Sequence, residues 1–168
     1  PILMLDGITQ VTTADEFIYH EMMSHVPILA HGAARNVLIV GGGDCGLAEE
    51  VLKHASVENL TQVEIDASVV EFSMEHFGEF NAGVLDDPRF DLVIADGMKF
   101  VAETDRRFDV VIVDSTDPQG PGAILFSQEF YDCVHRCLPP GGVLVTQNGV
   151  PFLQQQELVT SIERFSKT

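Results

Sequence analysis

The chain has 168 residues, of which 45% are hydrophobic, so it can bury the core of one globular domain. Its 26 Asp and Glu residues against 9 Lys and Arg residues give a formal net charge of −17, which argues against nucleic-acid binding and favours cationic partners. Because the sequence has neither an apolar run of about 18 residues nor a leader pattern, we expect no membrane span and no signal peptide.

The three cysteines, Cys45, Cys133 and Cys137, form no pairing framework and too small a ligand set for zinc. We therefore expect reduced thiols, no metal site and a cytoplasmic location.

The chain begins with a predicted β-hairpin, since short apolar runs within residues 2–11 flank the turn-forming pair Asp6-Gly7. Asp15 is expected to cap a helix over residues 16–27. The apolar side of that helix is predicted to comprise Phe17, Met22 and Val26.

From residue 37 onward, strand and helix patterns alternate. The predicted strands are 37–40, 60–65, 90–95, 108–113 and 143–147, and the predicted helices are 47–54, 68–77, 98–103, 128–138 and 153–165. This alternation predicts an α/β fold with a doubly wound, mostly parallel sheet. A lone hairpin is too small to be stable, and the last pattern is a helix without a closing strand. We therefore expect both ends of the chain to be cut: residues 1–14 would be the remnant of an N-terminal β-hairpin domain, and residues 15–168 an α/β domain that lacks its C-terminal strands.

The first predicted strand of the sheet runs into a glycine motif, in which Gly41, Gly43 and Gly46 match G-x-G-x-x-G. Such glycines let the backbone approach a ligand at the start of a helix. Asp44 departs from a phosphate-binding loop, because an anion there repels a pyrophosphate and attracts an amine or a sulfonium. The alternative is that Asp44 only complements the helix dipole.

Further acids follow the next two strands. Glu64 is placed to accept hydrogen bonds from ribose hydroxyls, whereas Asp66 is better explained as a helix cap. Asp96, beside Gly97, could accept from the exocyclic amine of adenine, or it could cap the following helix.

An apolar strand ends in Asp114 and leads into a loop. Asp117 lies in this loop, directly before Pro118. The two acids have two possible roles: they stabilise a turn, or they bind a positively charged substrate. Two of these acids are placed to bind ribose and adenine, and another stands where NAD would need a phosphate site. Together they favour an S-adenosyl sulfonium nucleoside over NAD.

Several segments together resemble the spermidine synthase family, in its bacterial form, in chain order over essentially the whole sequence. They are Leu5–Gln10, Asp15–Met22, Gly41–Asp44, Val63–Asp66, Asp96-Gly97, Asp114–Pro118 and Pro140–Asn148. The resemblance implies a Rossmann-like domain of the class I methyltransferase type. It also implies aminopropyl transfer from decarboxylated S-adenosylmethionine to putrescine, giving spermidine and methylthioadenosine, with the donor as co-substrate and no cofactor.

The resemblance assigns roles to individual residues. Asp114 would be the catalytic base and Tyr19 would orient the amine. The implied donor-binding residues are Gly41, Gly43, Asp44, Glu64, Asp96 and Gly97. The implied amine-binding residues are Asp117, Tyr19 and, less directly, His20, Gln10 and Gln147. On local grounds Tyr19 could instead be a core aromatic, and His20 a surface group or a support behind the site.

The sequence departs from the family pattern at three places. Cys45 stands where the family usually has Gly, Glu49 where a basic residue is common, and Ala123-Ile124 where Glu-Ser often follows Gly-Pro. Three alternatives stay open: a putrescine N-methyltransferase, an NAD-dependent oxidoreductase, and a non-catalytic polyamine or nucleoside sensor. The family also implies small-molecule substrates and a homodimer or homotetramer.

Overall fold

The computed structural model describes residues 1–5, 8–115, 120–148 and 155–167. Two strands, β1 (Ile2–Leu5) and β2 (Ile8–Thr12), form the predicted antiparallel hairpin. The remaining strands are β3 (Asn36–Gly41), β4 (Asn59–Glu64), β5 (Phe90–Ile94), β6 (Val110–Asp114) and β7 (Val143–Thr146). The helices are α1 (Glu16–His31), α2 (Gly46–Leu52), α3 (Ala67–His76), α4 (Gly78–Asn81), α5 (Gly97–Glu103), α6 (Gln128–Cys137) and α7 (Gln155–Phe165), with a 3-10 helix at Gly120–Phe126.

The five later strands form one sheet in the order β5-β4-β3-β6-β7, and every neighbouring pair is parallel. This confirms the predicted doubly wound α/β fold. The strand order reverses at β3, which pairs with β4 on one side and β6 on the other. A crevice opens at such a switch point outside the carboxyl ends of the strands.

The central strand β3 is buried on both faces, which explains its uninterrupted apolar sequence. Val37 and Ile39 pack into one core cluster with residues of α1, α2 and α3. Leu38 and Val40 pack into a second cluster with residues of α5 and α6. This alternation follows from the two-residue period of a strand and fixes the end of β3 between two rigid layers.

Helix α1 departs from the prediction at its end. It continues through Pro27 to His31, because Pro27 and Ile28 are buried and the packing of this turn offsets the hydrogen bond that proline cannot make. Gly32, in the left-handed conformation with φ 81°, ends the helix, and its N–H donates to Ile28 O. Asp15 occupies the capping position but makes no side-chain capping bond.

The predicted apolar side of α1 is also wrong. Phe17, Met22 and Val26 are 47%, 60% and 52% exposed. The buried side consists of His20, Met23, Ser24, Pro27 and Ile28. Apolar residues occur all round this helix, so periodicity could not select its inner face, and the buried polar groups of His20 and Ser24 are satisfied by specific partners.

Helix α4 and the 3-10 helix were not predicted from the sequence. No helix within the described residues has the length and apolarity that a membrane crossing requires.

Candidate active site

A cavity of about 1080 Å³ lies at the carboxyl ends of β3, β4 and β6, and the hairpin and α1 form its opposite wall. Most of the residues selected from the sequence line it: Gln10, Tyr19, His20, Gly41, Gly43, Asp44, Glu64, Asp96, Gly97, Asp114 and Gln147. Asp117 lies outside the described residues. The fold thus brings together side chains from the hairpin, α1 and all five parallel strands or the loops that follow them.

The loop after β3 needs glycine at Gly41. Its φ is +90°, and a Cβ built there would lie 1.9 Å from the backbone oxygen of Asp114. The neighbouring Gly42 N–H donates to that same Asp114 oxygen at 3.0 Å. The backbones at the ends of β3 and β6 therefore touch, and this contact fixes Asp114 relative to the loop.

Gln62 on β4 holds the glycine loop from beneath, and the sequence prediction did not include it. Its side-chain Nε2 donates to the carbonyl oxygens of Gly41 and Gly42, at 3.1 and 2.5 Å. The available signal was an amide inside an otherwise apolar strand, because a buried amide requires partners.

Asp44 lies at the start of α2 and also lines the cavity. Its Oδ1 accepts from the Gly46 N–H at 2.9 Å, at the start of α2, while Oδ2 lies 3.3 Å from His20 Nε2. Asn81 on α4 donates to the backbone oxygen of Asp44 at 2.9 Å. The carboxylate is thus oriented by a helix terminus and still lines the cavity.

Tyr19 and Asp114 form a direct side-chain pair in the cavity. The Tyr19 hydroxyl donates to Asp114 Oδ1 at 2.5 Å. Burial and the nearby Asp44 carboxylate raise the pKa of Asp114 to about 6, although the Tyr19 hydrogen bond acts in the opposite direction. Burial and the Asp114 charge raise the pKa of Tyr19 well above its ordinary value, so the tyrosine stays protonated and remains a donor.

His20 is a buried part of the site rather than a surface group, since only 2% of it is exposed. Its Nδ1 lies 2.8 Å from Glu16 Oε2, and its Nε2 faces Asp44. Glu16, which the sequence prediction missed, also lines the cavity. Its spacing of one helical turn before His20 was the available signal.

Glu64 ends β4 beside the glycine loop. Its Oε1 accepts from the Asp66 N–H at 3.0 Å, and its Oε2 lies 3.0 Å from where a Cβ on Gly43 would be. Burial raises the pKa of Glu64. Asp66 caps α3 through Ser68 N at 2.9 Å, as its helix-cap interpretation predicts.

Asp96 follows β5 and both lines the cavity and caps α5, where it accepts from Lys99 N at 3.2 Å. Gly97 brings the chain against β3, since a Cβ there would lie 2.5 Å from Val40 Cγ1. Gln147 follows β7, and its backbone N–H donates to Val113 O at 2.9 Å, which carries it to the same edge of the sheet.

The charged side chains that line this cavity are almost all acidic. Among the described residues that line it, seven are carboxylates and the single candidate cation is His20. Asp15 and Glu16 lie on the α1 side, and the other five, Asp44, Glu64, Asp66, Asp96 and Asp114, lie near the edge of the sheet. No Lys or Arg lines the part of the cavity that the structure describes, so the site suits a cationic ligand and repels a pyrophosphate.

The model of the spermine/spermidine synthase domain matches residues 16–168. The chain belongs to the spermine/spermidine synthase family. It is 60% identical over 163 residues to polyamine aminopropyltransferase 1 of Pseudomonas aeruginosa, an alignment that covers 97% of this chain and 57% of the relative. It is 58% identical over 165 residues to the polyamine aminopropyltransferase of Pseudomonas syringae pv. tomato, covering 98% of this chain and 58% of that protein.

Solved structures of the family superpose closely. A spermidine synthase in complex with the transition-state analogue AdoDATO has a TM-score of 0.94 at 42% identity, covering 99% of this chain and 57% of that one. Spermidine synthase from Thermotoga maritima has a TM-score of 0.90 at 42% identity, covering 99% and 56%. The chain therefore spans somewhat more than half the length of the family members it matches.

The departures from the family pattern have defined places in the fold. Cys45 is fully buried at the start of α2 and has a left-handed backbone with φ 62°. Glu49 forms an ion pair with Lys53 one turn later, at 2.8 Å. Ala123 and Ile124 lie in the 3-10 helix, where Ile124 lines the cavity.

Proposed function

We propose that the chain carries the catalytic site of an aminopropyltransferase, which moves the aminopropyl group of decarboxylated S-adenosylmethionine to putrescine. The amine lone pair attacks the methylene carbon beside the sulfonium, so that an N–C bond forms and the C–S bond breaks. The bonding electrons go to sulfur, which leaves as the neutral thioether of methylthioadenosine. The proton lost by the amine goes to a carboxylate, and the product is spermidine.

The observation that carries this proposal is the hydrogen-bonded Tyr19–Asp114 pair at the edge of an acid-lined cavity. With a pKa of about 6, Asp114 is mostly ionised above neutral pH and can accept the proton of the attacking amine. Tyr19, which stays protonated, keeps the carboxylate in one orientation. A positioned general base contributes about 10²–10⁴-fold to such a step.

The donor would occupy the side of the cavity between the glycine loop and the ends of β4 and β5. Glu64 would accept from the ribose hydroxyls and Asp96 from the adenine amine. Asp44 would bind the ammonium end of the aminopropyl group. Gly41 and Gly43 would bring the backbone of the glycine loop close to the donor, and both line the cavity.

The acceptor would occupy the side formed by the hairpin, α1 and the end of β7. Gln10, His20 and Gln147 line that side, and Asp117 is proposed as a further amine-binding group. Two cationic substrates repel each other, so a crevice with several carboxylates lowers the free energy of bringing them together.

The displacement uses no redox step and no Lewis acid, and the donor is a co-substrate rather than a resident cofactor. A cytoplasmic location and a homodimeric or homotetrameric assembly are further parts of the proposal. The first is supported by the three free cysteines, Cys45, Cys133 and Cys137.

A competition reaction tests the proposed function. The chain is given putrescine together with equal amounts of S-adenosylmethionine and its decarboxylated form, and the products are identified by mass spectrometry. Spermidine with methylthioadenosine, lost in Asp114→Asn, supports the proposal. N-methylputrescine overturns it in favour of a methyltransferase. Absence of product together with retained binding of methylthioadenosine overturns it for this chain in favour of a binding function.

A further inference from the structure

His20 lies between two carboxylates that come from different parts of the chain. Its Nδ1 is 2.8 Å from Oε2 of Glu16, one turn earlier on α1, and its Nε2 is 3.3 Å from Oδ2 of Asp44 in the glycine loop. The ring itself is 2% exposed, so water cannot replace either partner.

The ring is also held on its remaining sides. Tyr19 packs edge-on against it with ring centroids 5.7 Å apart, and Phe80 of α4 packs at 5.6 Å. A Cβ on Gly46 would lie 2.2 Å from His20 Cε1, so the start of α2 presses on the ring. These contacts fix the ring with Nδ1 hydrogen-bonded to Glu16 and with Nε2 in an ion pair with Asp44.

Between two carboxylates, only the imidazolium satisfies this arrangement. A neutral imidazole carries one N–H, and its other nitrogen presents a lone pair, which would face one of the two carboxylate oxygens. The imidazolium carries a proton on both nitrogens, so it can donate to Glu16 from Nδ1 and form an ion pair with Asp44 through Nε2. Burial by itself lowers the pKa of His20, but the Asp44 and Glu16 carboxylates more than offset it and raise the pKa to about 9.

We infer that Glu16 is a positioning residue: it holds His20 as a buried imidazolium and, through that ring, holds the Asp44 carboxylate in place at the cavity wall. The other groups that face the ring agree with this assignment. Asp114 on β6 adds negative charge, the Tyr19 hydroxyl is engaged with Asp114, and Phe80 and Gly46 bring no charge. The ring is the one cation among the described cavity-lining residues.

The His20 ring affects how the Asp44 carboxylate is held for a ligand. In Glu16→Gln, His20 loses the carboxylate that fixes its Nδ1 proton, and once the ring is neutral its Nε2 lone pair can face Asp44. The Asp44 carboxylate would then lose its ion pair with α1 and keep the hydrogen bond from the Gly46 N–H. If Asp44 binds the aminopropyl ammonium, which rests on the proposed function, this change weakens donor binding rather than the chemical step.

The direct test is the titration of His20 followed by the ring resonances of histidine-labelled protein, with His20→Gln used for assignment. In the unmodified chain His20 is expected to stay protonated through pH 8. In Glu16→Gln its midpoint is expected to fall by at least one pH unit, a tenfold loss of proton affinity. Glu21→Gln is the matched control, since Glu21 lies on the same helix with its side chain exposed, and it should leave the midpoint unchanged.

Two results would overturn the inference. One is a midpoint near 6.5 for His20 in the unmodified chain, which needs no variant to fold. The other is a Glu16→Gln midpoint equal to that of Glu21→Gln.

A kinetic measurement separates this inference from the proposed function. At a pH above the lowered His20 midpoint, Glu16→Gln should raise the donor KM about tenfold, with kcat changed by less than about threefold and with Glu21→Gln unaffected. A shifted His20 titration with an unchanged donor KM would support the role of Glu16 and overturn the assignment of Asp44 to the donor amine.

Discussion

The hydroxyl of Tyr19 donates a 2.5 Å hydrogen bond to Asp114 Oδ1, although the two residues lie 95 positions apart in the sequence. One comes from the first long helix and the other from the end of β6, next to the glycine loop. The pair therefore forms only when α1 is packed against the sheet. Packing of this helix thus supplies the hydrogen bond that lowers the pKa of Asp114, the proposed base.

Asp114→Asn should lower turnover by about 10²–10⁴-fold, because an amide cannot accept the proton of the attacking amine. Binding of methylthioadenosine, measured by calorimetry, should change little, since the proposed donor contacts lie on Glu64 and Asp96. A variant with a near-normal rate would remove Asp114 from the role of base.

The same substitution should stabilise the fold at alkaline pH. The pKa of Asp114, about 6 in the folded chain against an ordinary value of 3.8, means that ionisation of the buried carboxyl costs folding free energy. The cost is absent below about pH 4, grows as pH rises towards 6 and is constant above about 7. Urea unfolding of Asp114→Asn should therefore show a gain of roughly 1–3 kcal/mol at pH 8 and almost none at pH 4. A gain independent of pH would mean that the carboxyl charge is not its cause.

Tyr19→Phe should move the acid limb of the pH–rate profile upward. The Tyr19 hydrogen bond stabilises the ionised form of Asp114, so its removal raises a pKa that burial and Asp44 already place at about 6. The profile of kcat/KM against pH reports this group in the free enzyme. An acid limb that stays in place would show that the measured ionisation belongs to another residue.

The sequence was sufficient to place the main acids of the site. Asp44, Glu64 and Asp114 each follow a buried strand, and parallel strands bring their carboxyl ends to one edge. What local patterns could not show is which groups hold these acids in place. Gln62 acts on backbone carbonyls across the sheet, and Glu16 acts through His20, so neither bears a motif of its own.

The orientation of α1 was the main error, and its cause is physical. Apolar residues surround this helix, so burial of Met22 and Val26 was as plausible from periodicity as burial of Met23 and Ile28. The inner face is the one that carries His20, whose buried ring needs the Asp44 and Glu16 carboxylates. Long-range polar pairing, which no single window of sequence contains, decided the rotation of the helix.

Gln62→Leu should lower the free energy of unfolding by about 1–3 kcal/mol, because the Gly41 and Gly42 carbonyls lose their shared donor in a buried place. It should also weaken methylthioadenosine binding, since the loop that carries Gly43 and Asp44 is no longer held from beneath. Gln155→Leu, at an exposed position on α7, should change stability by less than about 0.5 kcal/mol. Equal stabilities of the two variants would show that Gln62 does not support the loop.

At position 45, glycine should give a more stable protein than alanine, the reverse of the usual order in a helix. At φ 62° a side chain costs about 1–2 kcal/mol that glycine avoids, whereas the buried thiol contributes packing that both small residues lose. Cys45→Gly should therefore be about 1 kcal/mol more stable than Cys45→Ala in urea unfolding, and close to the unmodified chain. Ala48→Gly is the control, because Ala48 lies within α2 and glycine there should lower stability by the usual amount of about 0.5–1 kcal/mol. If Cys45→Ala proves the more stable of the pair, the left-handed backbone at this position is not a source of strain, and the packing of the thiol alone accounts for the residue.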